Sequence, residues 1–336
     1  MCKKAYIYVN YKNIVVLKNY LDIVKQALEK NNYECEYVKK INGLDKKVLY
    51  VFPMGIDAFK FYFKGYRNFI IWMQGATADE SFLRNHSMIR YKLLNFIDCF
   101  ALKKAKFILF CSNYMKMHYE RLSKTSFENK SYIMPCYNES INLGIIYNKD
   151  YNKKIFTYVG SLDLWQCFDE TVRLYKKIET IYPDAQLKVL TFSVDEAIKK
   201  LKENHVKNYT VKCVKKEEVQ KELQDVVYGF LIRDDSIVNR VATPTKLSSY
   251  MSVGIIPIFS TVLDDFYNQS KKMKYTVPIR DVNNINGIKS ELDKNIVKKE
   301  LLNEYIELFE TYYGTKRHIS KISECIQEEN YEKFRN

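Results

Sequence analysis

The chain has 336 residues, of which 47% are hydrophobic and 28% charged, and its formal net charge at pH 7 is +14. This length allows two domains with separate cores, and the composition is typical of an ordinary globular protein rather than a disordered one. The charge would suit nucleic acid, anionic lipid or phosphorylated substrates. Lysines are spread along the whole chain, however, so a lysine-rich composition without functional meaning explains the charge equally well.

Several classes of protein are excluded or disfavoured at this stage. No apolar run approaches the roughly 18 residues that a membrane-spanning helix needs. The first residues, MCKKAYIYVNY, are too few and too polar for a signal peptide and predict a first strand instead. The eight cysteines form no C-x-x-C pair and no zinc cluster with histidine, which predicts reduced, mostly buried thiols. We therefore expect a cytoplasmic protein.

Apolar and amphipathic stretches alternate in the first half of the chain. Strands are predicted at residues 5–9, 48–52, 68–73, 107–111 and 131–134, and helices at 13–30 and 81–104. Such alternation predicts an α/β fold with a doubly wound parallel sheet. No G-x-G-x-x-G follows the first strand, so the classical dinucleotide-binding fingerprint is absent.

A second α/β series follows residues 138–154, which lack apolar periodicity and are the best linker candidate. Strands are predicted at residues 155–159, 187–192, 209–214, 226–232 and 255–259, and helices at 168–182, 296–312 and 318–334. The sequence thus predicts a first domain over residues 1–148, a second domain over 149–315, and a C-terminal helix over 316–336.

The stretch 226–260 contains the strongest functional signal. Its first predicted strand is a continuous apolar run that ends abruptly at Arg233, Asp234 and Asp235. In open α/β sheets, ligands bind just beyond the carboxyl ends of strands. These charged residues are therefore well placed to contact a ligand.

A helix is predicted shortly after that strand. Thr243 is a good N-cap, and Pro244 suits the first helical position. Lys246 then lies in the first helical turn, where a cation opposes the helix dipole unless an anion binds there. Free amide hydrogens together with Lys246, Arg240 and Arg233 would suit a phosphate or a diphosphate. A solvated helix start with scattered surface charge is the alternative.

The segment VNRVATPTKLSSYMSVGIIPI resembles the donor-binding segment of GT-B glycosyltransferases, in particular the family 4-like group of bacterial polysaccharide enzymes. The matching positions are Asn239, Ala242, Pro244, Lys246, Tyr250, Gly254 and Pro257. Val241 and Ser249 stand where that family has the two glutamates of its E-x7-E motif, the second of which commonly holds the nucleotide ribose.

Residues 158–166 are similar to a second pattern of the same group, Y-V-G-S-x-x-x-W-Q. The resemblance implies donor contacts for Gly160, Ser161, Trp165 and Gln166. The Arg and Lys that often hold the diphosphate in this loop are absent, so that role would pass to Arg233, Arg240 and Lys246. Core packing explains Trp165 equally well, because tryptophan is usually largely buried.

Residues 72–81 are similar to a third pattern, W-x-Q-G-x-x-x-E-E-S, with Asp79 in place of the first glutamate. The resemblance implies acceptor contacts for Gln74, Gly75, Asp79 and Glu80. The alternative, which we favour from the residues alone, is that the two carboxylates only complement a helix dipole. We expect Arg233, Lys246 and Glu80 to be the catalytic residues.

Together the patterns imply two Rossmann-like parallel-sheet domains facing a cleft, with the last helix crossing back to the first domain. They imply transfer of a sugar from a nucleotide-diphosphate donor to a glycan or polyprenyl-diphosphate-linked glycan in surface polysaccharide synthesis, with retention of configuration. Donor contacts are expected for Arg233, Asp234, Asp235, Asn239, Arg240, Thr243, Thr245 and Lys246. No D-x-D occurs, so we expect no metal, and no cofactor besides the nucleotide-sugar substrate.

A non-catalytic basic α/β binding protein is the alternative function. It would be a degenerate GT-B domain, as the two replaced glutamates suggest, or a binder of nucleic acid or anionic glycan. Nothing resembles a nucleic-acid-binding motif, so we expect no nucleic acid. The four histidines are isolated in the sequence, which predicts packing or surface roles.

Peripheral contact with an anionic membrane is suggested by the net charge and by the abundant Tyr and Phe. The residues considered for it are Phe59, Phe61, Tyr62, Phe63, Lys64, Tyr66 and Arg67. An ordinary amphipathic core segment explains the same pattern somewhat better.

Overall fold

The computed structural model describes the backbone of residues 3–9, 14–138 and 140–333, and the side chains of these residues except 14–16 and 328–333. The chain divides into two compact units. The first consists of Met1–Cys136 with Glu310–Asn336, and the second of Tyr137–Phe309.

The first unit alternates strands and helices around one parallel sheet. Its elements are β1 (Lys3–Tyr8), α1 (Ile14–Glu29), β2 (Tyr33–Val38), β3 (Leu49–Phe52), α2 (Gly55–Phe63), β4 (Phe69–Met73), α3 (Thr77–Asn85), α4 (Met88–Lys104), β5 (Phe107–Phe110), α5 (Asn113–Ser123) and β6 (Ser131–Ile133). The strand order is β2-β1-β3-β4-β5-β6, and every adjacent pair is parallel.

The second unit repeats this plan. Its elements are α6 (Leu143–Asn148), β7 (Ile155–Val159), α7 (Phe168–Ile181), β8 (Gln186–Leu190), α8 (Val194–Glu203), β9 (Tyr209–Lys212), α9 (Val219–Glu222), β10 (Tyr228–Leu231), α10 (Ile237–Val241), α11 (Thr245–Ser252), β11 (Ile256–Ser260), α12 (Asp264–Ser270), β12 (Val277–Ile279), α13 (Ile285–Leu292) and α14 (Lys298–Thr311). The strand order is β12-β11-β10-β7-β8-β9, again all parallel.

The central strands are buried on both faces because helices cover both sides of each sheet. All residues of β3, β4, β5, β10 and β11 are buried. Trp72 of β4 is fully buried, and its ring lies 4.8 Å from that of Tyr20 on α1. The predicted α/β class with two Rossmann-like parallel sheets is therefore confirmed.

The last helix, α15 (Thr315–Lys333), packs against α1 in the first unit. Nδ2 of Asn31, at the end of α1, donates to the carbonyl oxygen of Ser323 at 3.1 Å and to its Oγ at 2.8 Å. These contacts explain why residues from 310 onward group with the first unit.

The segment predicted as a linker, residues 138–154, is instead an ordered part of the second unit. It contains α6, whose N-cap Asn142 also donates its backbone N–H to the carbonyl of Ser252 at 2.7 Å. Asn138 donates its backbone N–H to Oγ of Ser248 at 3.1 Å. The division thus comes after residue 136 and not after 148, because these polar residues bond to α11.

Two other local features differ from expectation. The helix predicted over residues 81–104 is two helices: α3 ends at His86 with a left-handed backbone (φ 50°), and Ser87 caps α4 by accepting the N–H of Arg90. Strand β2 was not predicted, because its alternating residues at the sheet edge form no apolar run.

Two further expectations concern the burial of the cysteines and the presence of membrane-spanning helices. The seven described cysteines form no disulfide with one another. Cys35, Cys111 and Cys167 are buried, whereas Cys213 is exposed, so the expectation of mostly buried thiols holds only in part. Among the described helices, none has the length and apolar character needed to cross a membrane.

Candidate functional site

Three segments of the second unit place key residues at the carboxyl ends of adjacent strands. Gly160 directly follows β7, and Arg233 follows β10, its parallel neighbour. Lys246 lies in the first turn of α11, which leads into β11 on the other side of β10. The parallel sheet therefore brings these three residues to one edge, where ligands bind in such folds.

Lys246 lies against the backbone of Gly160. A Cβ atom added to Gly160 would be 2.5 Å from Nζ and 2.6 Å from Cε of Lys246. Gly160 also has a φ of 135°, in a region that is essentially restricted to glycine. The φ value favours glycine at this position, and any side chain here would also require Lys246 to shift. The group that approaches its backbone in the structure is the lysine ammonium.

Arg233 and Lys246 share one side-chain oxygen. Nζ of Lys246 and Nη2 of Arg233 each donate to Oε1 of Gln166 at 2.6 Å. Nη1 of Arg233 also donates to two backbone carbonyls, those of Gln166 at 2.9 Å and Ile232 at 2.7 Å. In the described part of the chain, neither cation forms an ion pair with a carboxylate.

Burial makes both charges costly. It lowers the pKa of Lys246 well below its usual value, and the neighbouring charge of Arg233 lowers it further, while Asp163 opposes the shift from a longer distance. Burial also lowers the pKa of Arg233, which is only 7% exposed. An anion between the two cations would oppose both shifts.

The helix that contains Lys246 begins later than predicted. Pro244 keeps a ψ of 125°, outside the helical range, so helical backbone starts at Thr245 and Pro244 occupies the cap position. Thr243 is therefore not the N-cap, although it is buried beside the helix start. The first backbone amides of α11 have no partner within the helix, as at any helix start.

Four other residues predicted to contact the donor form hydrogen bonds with one another, Arg240 with Asp235 and Asn239 with Asp234. Arg240 donates to both carboxylate oxygens of Asp235, at 2.6 and 2.8 Å, and to Asp264 at 3.0 Å. Asn239 donates to the backbone carbonyl of Asp234 at 3.2 Å and also to its carboxylate. Arg240, predicted as a phosphate ligand, is thus already balanced by two carboxylates.

The loop after β7 contains two further predicted donor residues. Ser161 is exposed, and its hydroxyl donates to the carboxylate of Asp163 at 2.7 Å. Trp165 is half-buried in the short helical turn Leu164–Gln166. Trp165 is therefore neither fully buried in the core nor fully exposed, and its contact with the donor stays a prediction.

A cavity of about 720 Å³ lies at this edge of the second sheet. Arg233 and Asp234 line it, as does Ser260, whose Oγ accepts the backbone N–H of Arg233 at 2.8 Å. The sequence prediction missed Arg280 and Asp281, which also line the cavity directly after β12. Like Arg233, these two charged residues follow a strand. That strand, β12, was not predicted because it has only three residues.

The residues predicted on the acceptor side lie together after β4, in the first unit. Nε2 of Gln74 donates to the carbonyl of Pro53 at 3.0 Å. A Cβ on Gly75 would be 2.5 Å from Oε1 of Glu80, so the carboxylate packs on the glycine backbone. Burial raises the pKa of Glu80, while the positive charge of Arg84 opposes the shift.

Asp79 contacts a histidine that was expected to be isolated. Nε2 of His118, on α5, lies 3.5 Å from Oδ2 of Asp79, and the side chains are 8% and 13% exposed. Neither atom has a hydrogen-bond partner among the described residues. The carboxylate of Asp79 on α3 therefore lies against a residue of α5, and no local sequence pattern indicates this contact because the two helices are separated along the chain by α4 and β5.

No protein-family model and no curated protein matches this chain in sequence. Several solved structures share its fold. The sucrose-phosphate synthase of Thermosynechococcus elongatus matches with a TM-score of 0.67 at 12% identity, over 97% of this chain and 98% of that one. The lipopolysaccharide outer core galactosyltransferase WaaB, in its apo form, matches with a TM-score of 0.62 at 12% identity, over 98% of this chain and 99% of that one.

A mutant of S. aureus TarM, solved with fondaparinux, α-GlcNAc-glycerol and UDP, matches with a TM-score of 0.61 at 10% identity. The match covers 84% of this chain but only 57% of TarM, so this chain corresponds to little more than half of that protein. All three neighbours are glycosyltransferases with the GT-B fold. Their similarity shows that this chain has that fold, while membership of family 4 stays a prediction.

Proposed function

We propose that this chain is a nucleotide-sugar glycosyltransferase that binds the diphosphate of its donor with Arg233 and Lys246. The observation that supports the proposal is their shared acceptor, Oε1 of Gln166. A neutral amide oxygen carries no negative charge to balance the buried guanidinium of Arg233 and the half-buried ammonium of Lys246. A diphosphate placed there would add the negative charge that the amide oxygen lacks and would form ion pairs with both side chains.

The chemistry follows from the charge that develops on the departing nucleotide diphosphate. Cations and amides that are already in position stabilise this charge without reorganisation. Gln166 and Gly160 hold Lys246 in position, and the first amides of α11, near Thr245, add further donors. Asp234 and Asp235 line the adjacent cavity, and we propose that they accept hydrogen bonds from donor hydroxyls.

We propose that sugar transfer needs no metal ion, because Arg233 and Lys246 lie where the diphosphate would bind. In metal-dependent transferases, a divalent ion bound by carboxylates neutralises the diphosphate. Here the two cations would supply that positive charge.

The fold neighbours support a nucleotide-sugar donor. WaaB is a galactosyltransferase, and the TarM structure contains UDP together with α-GlcNAc-glycerol. By the resemblance of its segments, we propose that this chain acts in surface polysaccharide synthesis at the cytoplasmic face of the membrane, with the retaining stereochemistry of family 4. Its acceptor would be a glycan or a polyprenyl-diphosphate-linked glycan.

We assign the acceptor contacts to the first unit. Gln74, Gly75, Asp79 and Glu80 lie together there, and the raised pKa of Glu80 suits a group that exchanges a proton with an acceptor hydroxyl. Replacement of Glu80 by Gln keeps its size and removes this exchange. We expect kcat to fall in that variant while donor affinity is unchanged.

A thermal-shift screen across nucleotides and nucleotide sugars tests the donor proposal. A ligand at 100 times its Kd adds about 2.7 kcal/mol to the free energy of unfolding. We expect nucleoside diphosphates and their sugar conjugates to stabilise the protein more than monophosphates. Arg233→Ala should abolish most of this stabilisation, whereas Arg121→Ala, a matched control that removes an exposed arginine of α5 in the first unit, should retain it.

Two results would redirect the proposal. If no nucleotide stabilises the protein, the site is not a donor site. If nucleotide sugars bind but are neither transferred nor hydrolysed, the chain is a degenerate GT-B domain, which is the non-catalytic alternative that the replaced glutamates at Val241 and Ser249 suggest.

A further inference from the structure

The first unit exposes a row of large apolar side chains on two helices that pack against each other, α2 and α4. On α4, Ile89 is 84% exposed, Leu93 56% and Phe96 61%; on α2, Phe63 is 67% exposed. The three α4 residues are spaced four and three positions apart, so they lie on one helix face. We call these four residues the apolar stripe.

Aromatic contacts join the two halves of the apolar stripe into one surface. The ring of Phe63 stacks on that of Phe100, with centroids 5.4 Å apart and an interplanar angle of 19°. Phe59 lies 5.3 Å from Phe100 and 6.3 Å from Phe96. Contiguous exposed apolar surface of this kind marks an interaction site more often than single exposed residues do.

The surroundings of the apolar stripe are basic. The exposed charged residues of α2, α4 and the turn after α2 are Lys60, Lys64, Arg67, Arg90, Lys92, Lys103 and Lys104. The acidic residues on these helices are Asp57, which is half-buried, and Asp98, which is 3% exposed and hydrogen-bonded to Tyr119. The exposed charges on these two helices and the turn are therefore all positive. We call these seven residues the basic rim.

We propose that the apolar stripe and the basic rim form a docking surface for an anionic lipid bilayer. Large apolar side chains enter the boundary between headgroups and acyl chains, while nearby Lys and Arg side chains pair with lipid phosphates. A second copy of this chain fits less well, because a symmetric contact through the stripe would bring two basic rims together. The proposal does not depend on the donor site, which lies in the other unit.

The residues proposed here for membrane contact differ in part from those that the sequence suggested. Of the segment that the sequence suggested for membrane contact, Phe61 and Tyr66 are buried, at 6% and 2% exposure, and belong to the core. Phe63, Lys64 and Arg67 are exposed. Helix α4, which the sequence did not suggest, supplies most of the apolar stripe.

Flotation of the full chain with lipid vesicles tests the proposal. We expect recovery with vesicles of phosphatidylcholine and phosphatidylglycerol, little recovery with phosphatidylcholine alone, and a decrease as salt is raised. Ile89→Ser/Phe96→Ser should lower recovery strongly. Phe192→Ser is the matched control, because Phe192 is 84% exposed but lies in the second unit.

A second pair of variants tests the basic rim. Lys60→Ala/Lys64→Ala should lower the vesicle affinity by at least about tenfold. Lys199→Ala/Lys202→Ala removes two exposed lysines from α8, in the second unit, and should leave the affinity unchanged. Melting temperatures show whether each variant is folded, and Ile89→Ser alone serves if the double variant is not.

Three outcomes would overturn the proposal. The first is equal recovery with anionic and neutral vesicles, and the second is wild-type recovery of the variants in the stripe and the rim. The third is a dimer in light scattering that Ile89→Ser/Phe96→Ser dissociates, which would make this surface an interface between copies of the chain.

Discussion

Lys246 occupies the space that a side chain on residue 160 would need: a Cβ on Gly160 would lie 2.5 Å from Nζ of Lys246. The lysine is a long, flexible side chain, and on a surface it would move freely. Here it is confined by Gly160 on one side and Gln166 on the other, with the Tyr158 ring centroid 4.9 Å from Nζ. The proposed diphosphate site therefore depends on glycine as much as on the two cations.

Gly160→Ala should damage both stability and donor binding. The φ of 135° at this position costs an alanine about 1–3 kcal/mol, and the added methyl group displaces the ammonium of Lys246. Gly144→Ala is the matched control, because the nearest atom to its new Cβ is 3.6 Å away and the residue lies in α6. Denaturant unfolding and nucleotide calorimetry report the two effects. Wild-type nucleotide affinity in Gly160→Ala would mean that Lys246 does not bind the diphosphate.

Gln166→Glu should separate stability from donor affinity. The new carboxylate would take the place of the shared amide oxygen and form ion pairs with Arg233 and Lys246. The carboxylate adds a Coulomb attraction to both cations that the neutral amide oxygen lacks, so the melting temperature should rise. The same carboxylate would repel the donor diphosphate, so nucleotide affinity should fall.

The control for this variant is Gln186→Glu, at the exposed first residue of β8. It should change neither the melting temperature nor the nucleotide affinity appreciably. If Gln166→Glu bound nucleotide diphosphates as tightly as the wild type, the two cations would not form the anion site.

Lys246→Ala should lower donor affinity without unfolding the protein. Loss of a charge-assisted hydrogen bond costs about 1.5–3 kcal/mol, or a roughly 10- to 150-fold decrease in kcat/KM. Burial lowers the pKa of Lys246, and a cation in the first turn opposes the helix dipole, so the unliganded variant should be as stable as the wild type or slightly more stable. A marked drop in melting temperature with unchanged donor affinity would show a structural role instead.

Sugar transfer should persist in excess chelator. We expect this because Arg233 and Lys246 are proposed to supply the positive charge that a metal ion supplies to the diphosphate in metal-dependent transferases. The measurement is the transfer rate with EDTA, compared with the rate after Mg²⁺ or Mn²⁺ is added back. A rate that falls with EDTA and recovers with either metal would contradict the metal-independent mechanism.

His318 should make stability depend on pH. It is 1% exposed, its Nδ1 lies 2.8 Å from the hydroxyl of Tyr132 and its Nε2 lies 3.0 Å from the carbonyl of Tyr312. Burial lowers its pKa from 6.5 to about 4. Below pH 6.5 the unfolded chain therefore binds a proton that the folded chain does not, and stability falls as the pH decreases toward 4, by up to about 1.4 kcal/mol per pH unit.

The variant His318→Gln isolates this effect. Burial raises the pKa of Asp98 to about 7, which gives the opposite dependence, a loss of stability as the pH rises from 3.8 toward 7. The difference between wild type and variant cancels the contribution of Asp98. If the two unfolding free energies change in parallel between pH 7 and pH 4, His318 is not the group that titrates.

The sequence by itself determined the α/β class with two parallel sheets, and it pointed to two cations that the structure brings to one edge of the second sheet. Strands such as β4 and β10 are continuous apolar runs, and this signal is local, so it does not require knowledge of the partner strands. Arg233 and Lys246 were likewise found from local signals, a charged residue that ends a buried strand and a helix start marked by proline. Edge strand β2 and the three-residue strand β12 were not predicted, because their local sequence signals are weak.

Only the tertiary structure decided which charges are balanced and which apolar residues are exposed. The sequence suggested both Arg233 and Arg240 as phosphate ligands, but Arg240 pairs with Asp264 from α12 whereas Arg233 donates to the neutral Gln166. The sequence also did not predict the contact of Asp79 with His118 or the exposure of Ile89 on α4. Periodicity shows that a residue lies on a helix face, but the elements packed against that face, distant along the chain, determine whether it is buried and which charge it meets.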